Sequence, residues 1–258
     1  MNIERFYDNK DEKPLDNLVN DGGFCSILRT VACVGDSLSS GEFEALDENG
    51  NKTYHDMFEY SWGQFMARMA GIKVYNFSRG GMTAKEYCET FAQSMGYWDK
   101  DKAAKAYVIA LGVNDIFNAG WEIGSVDDIC MEDYNKNATT FAGYYAKIIQ
   151  RYKEIQPDAK FFLVNKPKDS RDERRDAAQE MTDLLYALAE QFSNTYVIDL
   201  REYAPVFDEE FYKHFFLGGH MNAAGYLVFA KMMVSYIDYI IRHNYEDFSK
   251  IGFVGYNA

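Results

Sequence analysis

Short, continuous apolar runs alternate along the chain with longer segments in which apolar residues recur every three or four positions. The runs are rich in β-branched and aromatic residues, and turn residues such as glycine and proline flank them. Runs of this kind are typical of strands that are buried on both faces of a sheet. We therefore predict five strands, over residues 30–34, 72–77, 106–111, 160–164 and 195–200.

The segments between the runs have the apolar spacing of amphipathic helices. The main predicted helices cover residues 61–70, 139–155, 171–192 and 222–243. Strands that alternate with helices form βαβ units, which build a parallel sheet with right-handed crossovers and helices on both faces. We find no internal repeat or linker, so we predict one α/β domain over residues 31–258. An irregular lead-in of residues 1–30 is expected to pack on it.

Residues 39–60 are predicted to form a long loop after the first strand, with a turn at 47–50. A loop at the carboxyl end of a strand in an open α/β sheet lies where ligands bind. The alternative interpretation is an ordinary surface insertion without a function.

The amino-acid composition of the chain limits the kinds of molecule that it is expected to bind. The chain has 258 residues with 27 basic and 40 acidic side chains, a formal net charge of −13. Such a charge repels nucleic-acid phosphates and anionic membrane surfaces, so binding to either is not expected. We find no stretch approaching the roughly 18 apolar residues of a membrane span. Residues 1–20 also lack the apolar core of a signal peptide, so we expect a cytoplasmic protein.

The four cysteines, at positions 25, 33, 88 and 130, have neither CxxC spacing nor paired histidines. We therefore expect reduced, structural thiols and no metal site.

Four short runs carry candidate chemistry, and each follows a predicted strand or precedes the last helix. They cover residues 35–41, 76–83, 112–115 and 218–222. Taken singly, the first three are as well explained by turns and helix caps as by function. A single histidine in a glycine-flanked loop is likewise weak evidence for a catalytic base.

Together the four runs are more informative, because they should meet at one edge of the sheet. They supply the hydroxyl of Ser37, a backbone N–H at the paired glycines 80 and 81, the amide of Asn114 and the imidazole of His220. Acyl transfer needs a nucleophile, a base that deprotonates it and donors for the developing oxyanion. The set therefore indicates a serine hydrolase that needs no metal or organic cofactor.

At these positions the chain resembles the SGNH, or GDSL, hydrolases. Residues 35–38 (Gly-Asp-Ser-Leu) are similar to the nucleophile block, and Gly81 lies in a segment similar to the second block. Asn114, in the run Gly-Val-Asn-Asp, is similar to the third block, and His220 to the last. The four blocks occur in the family's order and span most of the chain.

The resemblance implies a three-layer α/β/α sandwich with a flavodoxin-like, parallel five-stranded sheet, and it implies ester hydrolysis. By the same resemblance, Ser37 is the nucleophile and His220 is the base. The N–H groups of Ser37 and Gly81 and the side chain of Asn114 then form the oxyanion hole.

One position departs from the family pattern. The family usually has an aspartate three residues before the histidine, and here that position is Leu217. Three explanations stay open: a Ser–His dyad, a substitute carboxylate from elsewhere, or a weakened or inactive relative. The carboxylates nearest in sequence are Asp208, Glu209 and Glu210.

The preferred hypothesis is an esterase for short-chain esters, including O-acetyl groups on carbohydrates. Its main rival is a non-catalytic carbohydrate-binding module. Aromatic residues in or near predicted loops favour that rival, although packing explains any single one of them: Tyr54, Phe58, Tyr60, Tyr97, Trp98 and Trp121. A nucleotide-binding protein is disfavoured because both GxGxxG and the P-loop motif are missing from the sequence.

Overall fold

The strands form one large sheet and two small hairpins in the computed structural model, which describes residues 11–249. Residues 1–10 of the predicted lead-in and residues 250–258 of the predicted domain lie outside the described range. In chain order the strands are β1 Thr30–Gly35, β2 Glu42–Leu46, β3 Lys52–Asp56, β4 Lys73–Ser78, β5 Ala106–Ala110, β6 Lys160–Val164, β7 Thr195–Ile198, β8 Phe216–Leu217 and β9 His220–Met221.

The large sheet has the strand order β4-β1-β5-β6-β7, and all four pairings are parallel. This arrangement confirms the predicted flavodoxin-like sheet and its five strands. The chain runs from β1 to β4 on one side and then returns to β5 on the other. Such a reversal opens a crevice at the carboxyl ends of the strands, where ligands bind in open α/β sheets.

Helices cover both faces of the sheet. In chain order they are α1 Ser37–Ser40, α2 Trp62–Ala70, α3 Ala84–Glu86, α4 Ala92–Ser94, α5 Phe141–Ile155, α6 Arg175–Gln191, α7 Leu200–Tyr203, α8 Glu209–Phe215, α9 Ala223–His243 and α10 Tyr245–Phe248. A π-helical turn, Tyr87–Phe91, joins α3 to α4. The four main predicted helices are confirmed as α2, α5, α6 and α9, with ends that differ by a few residues.

The alternation of side chains along β1 divides the core into two layers. Ala32 and Val34 belong to a cluster that α5 and α6 complete, whereas Val31 and Cys33 belong to a second cluster completed by α2 and α9. The sheet is therefore buried on both faces, which explains why its strands are continuous apolar runs. The predicted three-layer α/β/α sandwich is confirmed.

Ion pairs and a hydrogen bond connect the residues that precede β1 to helix α9. Arg242 donates to both oxygens of Glu12, at 2.6 and 2.7 Å, and to Asp238 at 2.8 Å. Asp238 also accepts a hydrogen bond from the backbone N–H of Phe24. The side chains of Glu12 and Asp238 are each only 4% exposed, so water has little access to this network.

Residues 39–60 were predicted as a loop, and that prediction is wrong over most of the segment. Strands β2 and β3 form an antiparallel hairpin in which Glu44 pairs with Tyr54. The hairpin stands off the main sheet, and most of its side chains are exposed or half-buried. Its strands therefore carry charged residues and show no apolar run. The short helices α3, α4 and α8 were also not anticipated.

Helix α9 meets the length and mean hydropathy of a membrane span, which the sequence analysis did not expect. Of its most apolar window, 72% is buried inside the protein. This burial is what a core helix of a sheet protein shows, so length and composition alone do not assign the helix to a membrane.

We expect Arg242→Met to destabilise the fold by about 3 to 5 kcal/mol, because it leaves two buried carboxylates without their cation. Urea denaturation at pH 7 measures the change. The matched control is Lys213→Met, which breaks an exposed ion pair with Glu210 and should cost less than about 1 kcal/mol. Equal effects of the two substitutions would contradict a stabilising role for the buried network.

Candidate active site

A cleft of about 420 Å³ opens at the carboxyl edge of the sheet. All four predicted site residues, Ser37, Gly81, Asn114 and His220, line it. The other lining residues are Asp36, Leu38, Glu42, Tyr54, Val113, Asn118 and Gly219.

Ser37 lies at the first position of α1, directly after β1. Asp36 caps this short helix: its side chain accepts from the N–H of Leu38 at 3.1 Å. An N–H at this position has no acceptor within its helix, so that of Ser37 is available to a ligand. Within the described part of the chain, the Ser37 hydroxyl makes no hydrogen bond. Gly35 permits the tight turn, because a Cβ there would lie 2.2 Å from the hydroxyl oxygen of Ser39.

Gly81 follows β4 and has φ +71°, a backbone conformation that favours glycine. A Cβ at this position would meet no atom within 4 Å, so the backbone angle and not a lack of space selects glycine. The described residues provide no acceptor for its N–H, which therefore stays available at the cleft.

Asn114 lies in a π-helical turn, Val113–Asn118, that follows β5. Its Nδ2 donates to the carbonyl of Met82 at 3.1 Å, and its Oδ1 accepts from Nδ2 of Asn118 at 2.7 Å. These two bonds fix the orientation of the amide. Since an amide nitrogen carries two hydrogens, one N–H remains for a ligand. Asn118 was not predicted as a site residue, although its spacing of four residues from Asn114 places both on one side of a helical turn.

His220 begins β9, and its side chain is 15% exposed. Its Nε2 lies 3.0 Å from Oε1 of Glu42, and its Nδ1 lies 3.6 Å from Oε2 of Glu44. Nδ1 is buried and has no hydrogen-bond partner among the described residues. The ring of Tyr54 contacts the imidazole edge-on at 5.6 Å between centroids.

The carboxylates nearest in sequence to His220 do not reach it. Of the side chains that the structure describes, only those of Glu42 and Glu44 have a carboxylate oxygen within 4 Å of the imidazole nitrogens. Asp208 instead caps α8 through the N–H of Phe211, and Glu210 contacts His214 at 2.7 Å. Both nearby carboxylates come from β2, the segment that was predicted as a loop.

Two carboxyl groups at the cleft are buried: Asp36, which lines it, and Asp115, which does not. Burial raises the pKa of Asp36 to about 7, against the opposing hydrogen bond from Leu38, and the nearby Asp115 raises it further. Burial also raises the pKa of Asp115 to about 6, although the N–H of Ala84 donates to one of its oxygens at 2.9 Å. The second oxygen of Asp115 has no partner in the described chain, as expected for a carboxyl group that gains from protonation.

The six loop aromatics have different environments. Tyr54 is 53% exposed and lines the cleft, whereas Tyr97 and Trp98 are buried in the core. Phe58, Tyr60 and Trp121 do not line the cleft. A continuous aromatic platform for a sugar chain is therefore not formed by this set.

The described residues contain neither a disulfide bond nor a cluster of side chains that could bind a metal ion. Cys25, Cys33, Cys88 and Cys130 are free thiols. Among residues 11–249, no group of three or more His, Cys, Asp or Glu side chains is arranged to hold a metal ion.

We expect Asp36→Asn to change how stability depends on pH. The pKa of Asp36 is about 7 in the folded protein and about 3.9 in an unfolded chain, so the native state binds more protons between these values. Subtracting the variant's free energy of unfolding from that of the wild type gives a difference that should decrease by about 2 kcal/mol from pH 5 to pH 8. Urea denaturation at both pH values measures the difference. The control Asp101→Asn alters an exposed aspartate and should track the wild type; a constant difference for Asp36→Asn would contradict the shifted pKa.

Comparison with solved structures gives relatives that share the fold at low identity. A family two carbohydrate esterase from Clostridium thermocellum, solved in complex with cellohexaose, is 16% identical with a TM-score of 0.58, and the match covers 92% of this chain and 66% of that one. A family 3 carbohydrate esterase from the same organism is 15% identical (TM-score 0.52, 83% and 97% covered). A protein from Lactobacillus plantarum is 16% identical (TM-score 0.59, 82% and 97% covered).

A search of curated proteins returned no significant match. The sequence profile of the GDSL-like Lipase/Acylhydrolase family, in contrast, matches residues 33–228, which include Ser37, Gly81, Asn114 and His220. This match covers most of the chain and agrees with both the parallel sheet and the position of the cleft. The protein therefore belongs to the GDSL-like lipase/acylhydrolase family.

Proposed function

We propose that the protein is a serine esterase that removes short acyl groups, such as acetyl groups on a carbohydrate, by means of Ser37 and His220. The observation that carries the proposal is the convergence of one hydroxyl, one imidazole and three unused N–H donors on a single cleft. Membership of an acylhydrolase family supports the same class of reaction.

In the proposed reaction, Nε2 of His220 accepts the proton of the Ser37 hydroxyl while Oγ attacks the ester carbonyl carbon. The carbonyl oxygen becomes an oxyanion, which the N–H groups of Ser37, Gly81 and Asn114 stabilise. His220 then returns the proton to the leaving alcohol, and an acyl-enzyme forms. Water attacks this ester by the same route in reverse, which releases the acid and restores Ser37. Besides the ester and water, the groups that take part in these steps belong to Ser37, Gly81, Asn114 and His220.

The lining of the cleft favours a short acyl group. Leu38 and Val113 are the aliphatic side chains among the lining residues, and polar or charged groups supply most of the rest. A long alkyl chain would gain little from such a surface, because apolar burial is what stabilises bound alkyl groups. Tyr54, half exposed at the rim, offers an aromatic face to the alcohol side of the substrate, as sugar rings often require. The carbohydrate esterases among the structural neighbours support that assignment.

We expect Ser37→Ala to lower kcat for p-nitrophenyl acetate by at least about 10³-fold, because no other group can form the acyl-enzyme. The control is Ser26→Ala, at an exposed serine that does not line the cleft, which should retain the wild-type rate. Labelling with a fluorophosphonate should follow the same pattern.

Equal hydrolysis by wild type and Ser37→Ala would contradict the proposal. A folded wild type that neither hydrolyses nor reacts would point to the non-catalytic binding module instead.

We expect Asn114→Ala to lower kcat about 10²- to 10³-fold with little change in KM, because it removes one donor to the oxyanion. Asn118→Ala should have a smaller effect in the same direction, since it only frees the Asn114 amide to rotate. Steady-state kinetics with p-nitrophenyl acetate measure both. A larger loss in Asn118→Ala than in Asn114→Ala would contradict this order of roles.

A further inference from the structure

Nδ1 of His220 has no hydrogen-bond partner among the described residues, although a catalytic base needs an acceptor at its second nitrogen. If Nε2 serves Ser37, as the proposed function requires, the proton on Nδ1 needs a hydrogen-bond acceptor that fixes the tautomer and the ring orientation. Nδ1 is buried, and its nearest described carboxylate oxygen is Oε2 of Glu44, at 3.6 Å. An unsatisfied buried N–H is costly, and hydrogen bonds of this kind often tighten only when substrate is bound.

Glu44 is held in place by two contacts besides His220. Its Oε1 lies 2.8 Å from Nζ of Lys52 on the neighbouring strand, and its Oε2 accepts from the N–H of Gly219 at 2.9 Å. The side chain is only 7% exposed. The hydrogen bond from Lys52 holds the pKa of this carboxyl below its usual range, with Gly219 adding to the effect, so the group stays an acceptor at neutral pH.

The turn that precedes His220 is shaped around this carboxylate. A Cβ on Gly218 would lie 2.1 Å from Oε1 of Glu44, and one on Gly219 would lie 3.3 Å from Oε2. Gly218 also has φ +62°, which disfavours other residues. The two glycines therefore bring the backbone of the turn directly against Glu44, and any side chain at position 218 would displace it.

Leu217 occupies the position where the family usually has its acid. It pairs with His220 across the two-residue turn of the β8–β9 hairpin, and it is 49% exposed. A leucine there has no acceptor to offer. The space beside Nδ1 is filled from a different part of the chain, by the hairpin β2–β3.

Glu42 is the second carboxylate near the imidazole, but it lies at the other nitrogen. Its Oε1 is 3.0 Å from Nε2, the atom that must receive the proton of Ser37. A carboxylate at that nitrogen competes for the proton and cannot orient the ring for Ser37. Burial raises the pKa of Glu42, in contrast to that of Glu44.

From these contacts we infer that Glu44 is the positioning residue of His220: it accepts the Nδ1 proton from β2 in place of the acid that Leu217 cannot supply. Lys52 and the Gly218–Gly219 turn hold it there. The inference rests on the proposed function for its catalytic consequence, but the contact of Glu44 with His220 can be tested independently of catalysis.

The main test compares Glu44→Gln with two matched glutamate-to-glutamine variants of the same segment, Glu42→Gln and Glu48→Gln. Glu48 lies at the exposed tip of the hairpin, so its variant should keep wild-type kinetics. Glu44→Gln should lower kcat for p-nitrophenyl acetate about 10²- to 10⁴-fold with little change in KM, as loss of an orienting acid does. Adding Leu217→Asp to Glu44→Gln returns an acid to the family position and should recover at least about tenfold.

Nitrogen-15 NMR of the histidine side chains gives a readout that a merely structural role would not change. A protected Nδ1–H resonance of His220 should be present in the wild type and in Glu48→Gln, and lost in Glu44→Gln. If the wild type shows this resonance but no hydrolysis, the proposed function fails and the positioning contact stands. If the wild type hydrolyses esters and Glu44→Gln keeps both the rate and the resonance, the inference is overturned.

Two further outcomes also decide the question. Loss of the resonance in Glu42→Gln but not in Glu44→Gln would overturn the assignment in favour of Glu42. Should Glu44→Gln not fold, Lys52→Met tests the same arrangement, because it releases the Glu44 carboxylate without altering it. That variant should lower kcat about tenfold and weaken protection of the resonance, and unchanged values of both would overturn the inference.

Discussion

The parallel pairing of β1 with both of its neighbours is the constraint on which the cleft depends. Gly35, at the end of β1, pairs with Ser78 of β4 and with Ala110 of β5, so the three strands end level with one another. Ser37, Gly81 and Asn114 each follow one of these ends by two to four residues. Register alone therefore brings the proposed nucleophile and the proposed oxyanion donors together, and any slip of one strand would separate them.

The environment of His220, the proposed base, does not depend on the main sheet in this way. It depends on the hairpin β2–β3, which lies outside the sheet. Tyr226 of α9 donates to the carbonyl of Glu42 at 2.6 Å, and the N–H of Met57 donates to the carbonyl of Gly41 at 2.9 Å, which closes the base of the hairpin. Strand β2 thereby lies against the turn that carries His220. The sheet thus positions Ser37, Gly81 and Asn114, while the hairpin after α1 supplies the charges around the imidazole of His220.

This division explains what could be predicted from the sequence. Strands buried on both faces are recognisable as apolar runs, so the five-stranded sheet and the residues at its strand ends were found from local patterns. The hairpin was missed because its strands are charged, and Glu44 is the only residue of the two strands that is buried. The contact of Glu44 with the turn before His220 spans 175 positions, and no local pattern signals it. The absence of an acid at 217 was visible, but only the three-dimensional structure shows what lies in its place.

The charge of the cleft limits the substrates that suit the proposed reaction. Asp36 and Glu42 line the cleft and Glu44 lies beside His220, whereas the described lining residues include no lysine or arginine. Above pH 7, where Asp36 is mostly ionised, the negative potential of the cleft should repel anionic substrates and favour neutral esters. In the proposed reaction the same potential acts on the second product, since hydrolysis of the acyl-enzyme turns a neutral ester into a carboxylate. On that mechanism an acidic cleft assists departure of the acid, whereas the neutral alcohol depends on contacts such as that with Tyr54. The surplus of acidic residues, from which the sequence predicts only that polyanionic partners are disfavoured, thus also bears on which substrates the proposed reaction accepts and how its acid product leaves.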